Sequence, residues 1–256
     1  MSNVVISKNR KERIATVTLC KEPLNICDMK FYREIESAFQ EINLMDDISV
    51  VILKSTCKHF CAGGDLTEIQ MCNTVDNVNI IGGAAASCME AIYSCRYPVI
   101  AAVHGKSIGA GVAMMACCDV CIATEDAIFS LPEIKVGYIG ASAFLEMLIP
   151  RRLARYYMFT GETITSTMLQ NWGSILDVVK SEELDKKSME VAKKIAEQSP
   201  LALTYFKKAM NHNDNERLRE KFMHESQYTV KYSQSMDCTE TFLALKEKRK
   251  PKYSGK

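Results

Sequence analysis

An α/β fold is what this sequence predicts, and three observations predict it. Short, strongly apolar segments at residues 50–53 and 99–103 read as strands buried on both faces. Stretches of helical period lie between and around them, over 31–42 and 84–93, so strands alternate with crossover helices. From residue 181 onward every periodic stretch is helical. The chain has 256 residues, 47% of them hydrophobic and 25% charged, which is enough apolar material for a large core. The expected organisation is an α/β core over residues 1–195 and a helical C-terminal region over 196–256, without a low-complexity linker or a repeat of solenoid period.

Taken in order, residues 4–6 and 14–19 alternate around a charged turn and read as a hairpin, and Pro23 stops the second strand. Asp28 is placed to cap a helix in which Phe31, Ile35, Ala38, Phe39 and Ile42 recur at intervals of three and four. The strand at 50–53 follows. The pattern then repeats with a helix over 84–93, the strand at 99–103, a helix of small residues over 109–118 and a strand at 120–122. Four amphipathic helices close the chain, over 184–198, 201–210, 216–232 and 237–248.

Composition narrows the partners. The chain has 32 basic and 31 acidic residues and a formal net charge of +1, so it lacks the sustained basic surface that a nucleic acid or an anionic membrane requires. A small-molecule partner is expected. Lys8, Arg10, Lys11 and Arg13 interrupt the first 17 residues, against a secretory signal, and no window reaches the roughly 20 apolar residues of a membrane span. The expected location is the cytoplasm. Eleven cysteines include Cys117, Cys118 and Cys121 in an apolar run without the paired spacing of a zinc site, so buried free thiols are expected, with no metal and no tightly bound cofactor.

Two glycine-bearing turns carry most of the chemical signal. In His59-Phe60-Cys61-Ala62-Gly63-Gly64-Asp65-Leu66, the paired glycines let main chain approach a ligand, and Asp65 can cap the helix that follows. In His104-Gly105-Lys106-Ser107-Ile108-Gly109-Ala110-Gly111, small residues open a helix and leave unpaired amides at the positive end of its dipole. Two such amides converging on one oxygen make an oxyanion hole. A Gly-Ala-Gly before an Ala-rich helix equally suits close packing. Neither turn is a phosphate loop. A third segment, Ala127-Ile128-Phe129-Ser130-Leu131-Pro132-Glu133-Ile134-Lys135-Val136-Gly137, sets Glu133 among apolar residues, where desolvation would make it a proton carrier near neutrality. A capping or surface role is the alternative.

In this order the three segments resemble the crotonase (enoyl-CoA hydratase/isomerase) superfamily, over nearly the whole chain. Lys21-Glu22-Pro23-Leu24-Asn25 is similar to its N-terminal loop, and Pro98-Val99-Ile100-Ala101-Ala102-Val103-His104-Gly105 to its second signature strand. Thr160-Gly161-Glu162, Trp172-Gly173 and the closing Phe242-Leu243-Ala244-Leu245-Lys246-Glu247-Lys248-Arg249-Lys250-Pro251 match later landmarks. The resemblance implies a ββα spiral core, a helical C-terminal trimerisation region, and homotrimers or dimers of trimers. It implies a thioester carbonyl held by the amides of Gly64 and Ala110 and an acid/base at Glu133. Coenzyme A, as part of the substrate, would lie along Leu24, Ala62, Asp65 and Leu66 with Lys246 near its phosphates; an acyl carrier protein thioester would present the same pantetheine arm.

Two departures from the family pattern bear on the reaction. Hydratases of the family use two glutamates to hold water, and Ala113 stands at the first position while Glu133 keeps the second. A single base suits double-bond isomerisation. After Gly137 the usual glycine- and proline-rich turn is replaced by Tyr138-Ile139-Gly140-Ala141-Ser142-Ala143-Phe144. With Leu148-Ile149-Pro150-Arg151-Arg152-Leu153-Ala154-Arg155 and Leu169-Gln170-Asn171-Trp172-Gly173-Ser174, this is similar to hydrolases that open cyclic β-keto acyl-CoA rings. Tyr138 and Glu146 are the candidates for a second polar group. Isomerisation is the leading expectation, with ring opening and hydration as alternatives and a non-catalytic acyl-CoA-binding protein as the reading from another class.

Overall fold

The protein's structure, a computed structural model, describes residues 2–214 and 217–255. Strands β1 (Val4–Asn9) and β2 (Ile14–Leu19) form the antiparallel hairpin that their alternation predicts. Asp28 caps α1 (Met29–Asn43) by accepting from Phe31 N at 2.8 Å. Then come β3 (Val50–Ser55), α2 (Leu66–Met71), α3 (Val75–Tyr93), β4 (Val99–Val103), β5 (Lys106–Ile108), α4 (Ala110–Ala116), β6 (Val120–Thr124) and β7 (Ile128–Ser130). The chain continues through α5 (Ser142–Leu148), α6 (Arg151–Thr160), β8 (Thr163–Thr165), α7 (Ser166–Asn171), β9 (Asp177–Val179), α8 (Leu184–Ala196), α9 (Pro200–Asn213), α10 (Leu218–Ser233) and α11 (Met236–Glu247).

Two sheets organise these elements. The larger has the order β1-β2-β3-β4-β6-β9 and is parallel from β2 onward; the smaller has the order β5-β7-β8 and is extended at β5 by a bridge from Cys61 to Ser107. Each turn of the chain lays a long strand in the large sheet, returns through the small one, and closes with helices. This is a ββα spiral.

Burial on both faces explains why the central strands read as unbroken apolar runs. Val50, Ile52, Ile100, Ala102 and Ile122 pack on Leu184, Val191 and Ala192 of α8, whereas Val51, Leu53, Val99, Ala101 and Val103 face the core shared with α1, α3 and α4. Each buried Val, Ile or Leu among them contributes about 1.5–3 kcal/mol. The period-2 alternation of the pleat thus assigns one strand to two separate cores.

Two helices differ from the sequence expectation. α3 starts at Val75 rather than near Ala84, because Thr74 accepts from Asn77 N at 3.2 Å and Val78 and Ile81 are buried behind a first turn that looks polar. The expected start at Glu216 lies outside the described residues, and α10 begins at Leu218. The segment 127–180, for which the sequence suggested no regular elements, holds three strands of three residues each, too short to show a period.

α9 is fastened to the sheet by a buried cation. Lys207 Nζ donates to Asp119 Oδ2 at 2.7 Å and to Tyr97 O at 3.1 Å, while Asp119 Oδ2 also accepts from Val99 N at 2.7 Å. The Lys207 side chain is 4% exposed and that of Asp119 31%, so Asp119 keeps some solvent if its partner is removed. Lys207→Met is therefore expected to cost about 1–3 kcal/mol, at the mild end for a buried pair, read as a lower midpoint in urea unfolding. An unchanged midpoint would show that the pair does not hold α9.

Candidate active site

Main-chain hydrogen bonds bring the three sequence segments together. Cys61 N donates to Lys106 O at 3.2 Å and Ile108 N to Cys61 O at 2.9 Å, joining the two glycine turns; Gly109 N donates to Ser130 O at 2.8 Å, joining the second turn to the Glu133 segment. Glycine is required where they meet. Gly109 has φ +49°, and a Cβ there would lie 2.8 Å from Glu133 Oε1 and 4.0 Å from Gly63 Cα. Gly111 serves packing instead, since its Cβ would strike Cys61 O and Ser107 Oγ, both at 2.9 Å. The Gly-Ala-Gly turn thus combines both roles read from the sequence.

Two amides are left free between these glycines. Cys27 N donates to Gly63 O and Asp65 N to Cys27 O, both at 2.8 Å, so the Gly64 amide points away from Cys27. Ala110, the first residue of α4, has no earlier helical carbonyl to reach. Among the described residues neither amide has an acceptor, and both residues line one cavity. Asp65 caps α2 through Thr67 N and Glu68 N, at 2.8 and 3.1 Å.

That cavity measures about 470 Å³ and is walled largely by apolar side chains of α3, α5 and α10, among them Ile81, Met89, Phe144 and Phe222. Glu133 enters it with 9% of its surface exposed, and its Oε2 has no hydrogen-bond partner. Burial pushes its pKa up to about 8; its own backbone amide pulls the other way, and the charge of Glu225 adds to the rise. Ala113 also lines the cavity, so the position of the family's first glutamate carries only a methyl group there. Glu225, on α10, caps α5 from a distance by accepting from Ser142 N, Ser142 Oγ and Ala143 N at 2.9, 2.7 and 3.0 Å. Beside it the Ser226 Oγ lies 3.0 Å from Tyr138 Oη, and Thr229 Oγ1 accepts from Ile139 N at 2.9 Å.

Of the residues singled out from the sequence, Ala62, Gly64, Asp65, Leu66, Ala110, Glu133 and Tyr138 line this cavity. Leu24 does not; its carbonyl accepts from Ala62 N at 3.0 Å and so shapes the loop, while Ile26 and Cys27 form the wall. Lys246 does not either, because α11 carries it, exposed, to a shallow cleft beside Gln70 of α2. Glu146 is exposed and lies 3.9 Å from Arg151, outside the cavity. Sequence reasoning passed over Tyr32, Phe222 and Glu225. Tyr32 had a signal, one helical turn after its cap, but the two residues of α10 had none, since only the tertiary fold brings them here.

The spiral is the fold of the crotonase superfamily, and the chain belongs to the enoyl-CoA hydratase/isomerase family, whose sequence model matches residues 9–256. It is therefore an enzyme of the type that acts on acyl-CoA thioesters. It is 31% identical over 225 residues to the (7aS)-7a-methyl-1,5-dioxo-2,3,5,6,7,7a-hexahydro-1H-indene-carboxyl-CoA hydrolase of Rhodococcus jostii, covering 88% of this chain and 87% of that one. It is 29% identical to the 2,3-dehydroadipyl-CoA hydratase of Escherichia coli over the full length of both. Among solved structures, an enoyl-CoA hydratase/isomerase from Pseudoalteromonas atlantica superposes with a TM-score of 0.85 at 23% identity, covering 98% of this chain and all of that one.

The raised pKa of Glu133 has a stability consequence. An unfolded glutamate ionises near 4.3 and the folded one near 8. Between these values the folded state holds the extra proton, so the contribution is fully present below about pH 4.3 and is lost as pH rises through 8, by about 1.4 kcal/mol per unit. Glu133→Gln cannot titrate. Its stability relative to the parent should climb by that amount per unit between pH 5 and 8 in urea unfolding, and parallel pH profiles would show that the carboxyl is not desolvated.

Proposed function

We propose that this enzyme forms an enolate from an acyl-CoA thioester, with the carbonyl oxygen held by the amides of Gly64 and Ala110 and with Glu133 as its single acid/base. The observation that carries the reading is one unpartnered carboxylate, buried beside Gly109 and within the same cavity as two free amides. Each donor would lower the barrier by about 3–4 kcal/mol. Ala62, Asp65 and Leu66 line the cavity, and the pantetheine arm would run along them out to its mouth. Lys246 would reach only the outer, phosphate-bearing end of the coenzyme, and a carrier-protein thioester would use the same mouth.

The reaction we favour is hydrolytic opening of a cyclic β-keto acyl-CoA. Glu133 takes a proton from water, whose oxygen adds to the ring ketone carbon. The bond between that carbon and the α-carbon breaks, its electron pair passes into the thioester enolate, and Glu133 returns the proton to the α-carbon. The product carries a new carboxylate, and atoms balance with one water consumed. The ring-bearing acyl-CoA hydrolase of Rhodococcus jostii, 31% identical to this chain, supports this choice over two-glutamate hydration, for which Ala113 supplies no group. A second reading, movement of a double bond from the 3- to the 2-position, is favoured by the presence of one buried carboxylate, which suffices to take a proton and return it elsewhere.

One experiment separates these readings. Incubation in deuterated water with cyclic β-keto, 3-enoyl and 2-enoyl acyl-CoA esters, followed by mass spectrometry, should show uptake of one water by the cyclic ester alone. Double-bond movement without water would establish the isomerase, and water uptake by the 2-enoyl ester a hydratase. Glu133→Gln should abolish turnover while thioester affinity stays within about tenfold, and Gly64→Pro, which deletes one donor, should slow it roughly 100-fold. Full turnover in Glu133→Gln would remove Glu133 from the mechanism.

We also propose that copies associate, as trimers or pairs of trimers, through the helices beyond residue 196. Leu201, Tyr205, Phe206 and Met210 of α9 are 61–70% exposed on this single chain, an apolar patch larger than isolated exposed residues explain. Sedimentation should give three or six chains; a monomer at micromolar concentration would reject this.

A further inference from the structure

One hydroxyl in the cavity wall has no partner in the protein. Tyr32 stands on α1 one turn after its cap, with its amide donating to Asp28 O at 3.0 Å, and it is 6% exposed. Its side chain borders the cavity beside Gly64, where a Cβ would lie 3.8 Å from Tyr32 Oη. Among the described residues this hydroxyl makes no hydrogen bond. By contrast Tyr97 donates to Met45 O and Tyr138 pairs with Ser226; among the described residues Tyr157, also buried, lacks a hydroxyl partner too but lies outside this cavity. Nearby positions on the same helix, Phe31 and Phe39, are fully buried and carry no hydroxyl, so this helix packs plain rings where only packing is needed.

A hydroxyl that borders a cavity without a protein partner is free to bond what the cavity holds. Ile69, which meets the same face of Gly64 as the Tyr32 hydroxyl, supplies no side-chain oxygen, and Glu68, also in the cavity wall, accepts from Met29 N at 2.9 Å. Burial drives the pKa of the phenol well above its ordinary value, with Tyr138 adding to the effect, so it remains a neutral donor across the working pH range. Once a ligand displaces water from the cavity, the acceptor for this hydroxyl has to come from the ligand. The closeness to Gly64 puts that acceptor near the thioester carbonyl rather than at the far end of the acyl group.

We infer that Tyr32 is a specificity-determining residue that hydrogen-bonds an oxygen carried by the acyl group close to the thioester, so that the chain takes β-oxygenated acyl-CoA esters in preference to plain hydrocarbon ones. This rests on the reading that the Gly64 amide holds the thioester carbonyl, and it deepens that reading by naming the substrate class and the side chain that selects it. A hydroxyl donor at this position discriminates strongly, because the hydrocarbon analogue leaves it buried and unpaired.

The test uses the full chain carrying Glu133→Gln, which prevents turnover, and calorimetric titration with a matched pair of ligands, 2-oxocyclohexanecarboxyl-CoA and cyclohexanecarboxyl-CoA. With Tyr32 in place the oxo ligand should bind about tenfold more tightly. Adding Tyr32→Phe should erase that preference and leave the affinity for cyclohexanecarboxyl-CoA within about twofold. A preference that survives Tyr32→Phe, or an equal loss on both ligands, would overturn the inference while leaving the acyl-CoA reading intact. If neither ester bound more tightly than free coenzyme A with Tyr32 present, both would fall.

Discussion

The small second sheet is the constraint on which the site depends. Its strands are three residues long and could not fold alone, yet β5 and β7 each follow a longer strand locked in the main sheet. Because the Cys61–Ser107 bridge and the Gly109–Ser130 bond are main chain to main chain, the distances they set do not depend on side-chain rotamers. The two free amides and the Glu133 carboxylate therefore inherit the rigidity of the core. At Gly109 a side chain would be strained by the φ of +49° and would press a Cβ to within 2.8 Å of Glu133 Oε1, so any residue but glycine would displace the carboxylate.

Glu133 and Glu225 show how environment divides labour between two neighbouring carboxylates. Glu225 spends its oxygens on three donors at the start of α5, and these bonds oppose the rise that its burial causes. Glu133 has an oxygen with no partner at all and is pushed much closer to neutrality. One carboxylate is thereby committed to structure and the other kept available to a proton, and the first helps tune the second through its charge. Leaving Glu133 unpaired sacrifices stability at neutral pH. That sacrifice makes sense only if the group acts, which weighs against a purely structural role on this fold.

How much was legible in the sequence follows from the range of the interactions. The hairpin, α1, the central strands and the C-terminal helices announce themselves by period and caps, because a residue and its cap lie within a turn of each other. The glycine turns and Glu133 could be read because close approach and an isolated carboxylate are local signals. The stretch 127–180 could be read only in part, since its strands of three residues carry no period and two of its three helices, α5 and α7, span fewer than two turns. Glu225, Ser226 and Thr229 could not either: on α10 they look like ordinary polar positions of an amphipathic helix, and only the fold reveals that they grip the segment 138–143. Lys246 is a basic residue in a basic run, and its role depends on where α11 comes to rest, which no local pattern reveals.

The departure at Ala113 and the departure after Gly137 act on the same volume. A glutamate at 113 would fill space in the cavity and bring a second charge against Glu133, raising the cost of ionising either one. With alanine there, and with Gly82, Ala85 and Ala141 also in the wall, the small side chains leave width where a water-holding pair would otherwise stand. The segment bearing Tyr138 is drawn onto α10 by Ser226 and Thr229, with Ala141 at φ +68° and Gly140 pressed against the Tyr138 ring, so that the phenol borders this wider space from the far side. A second carboxylate has been exchanged for room and for neutral hydroxyls. Neutral donors would suit an acyl group bearing oxygen, whereas a second anion would repel the enolate proposed to form beside Glu133.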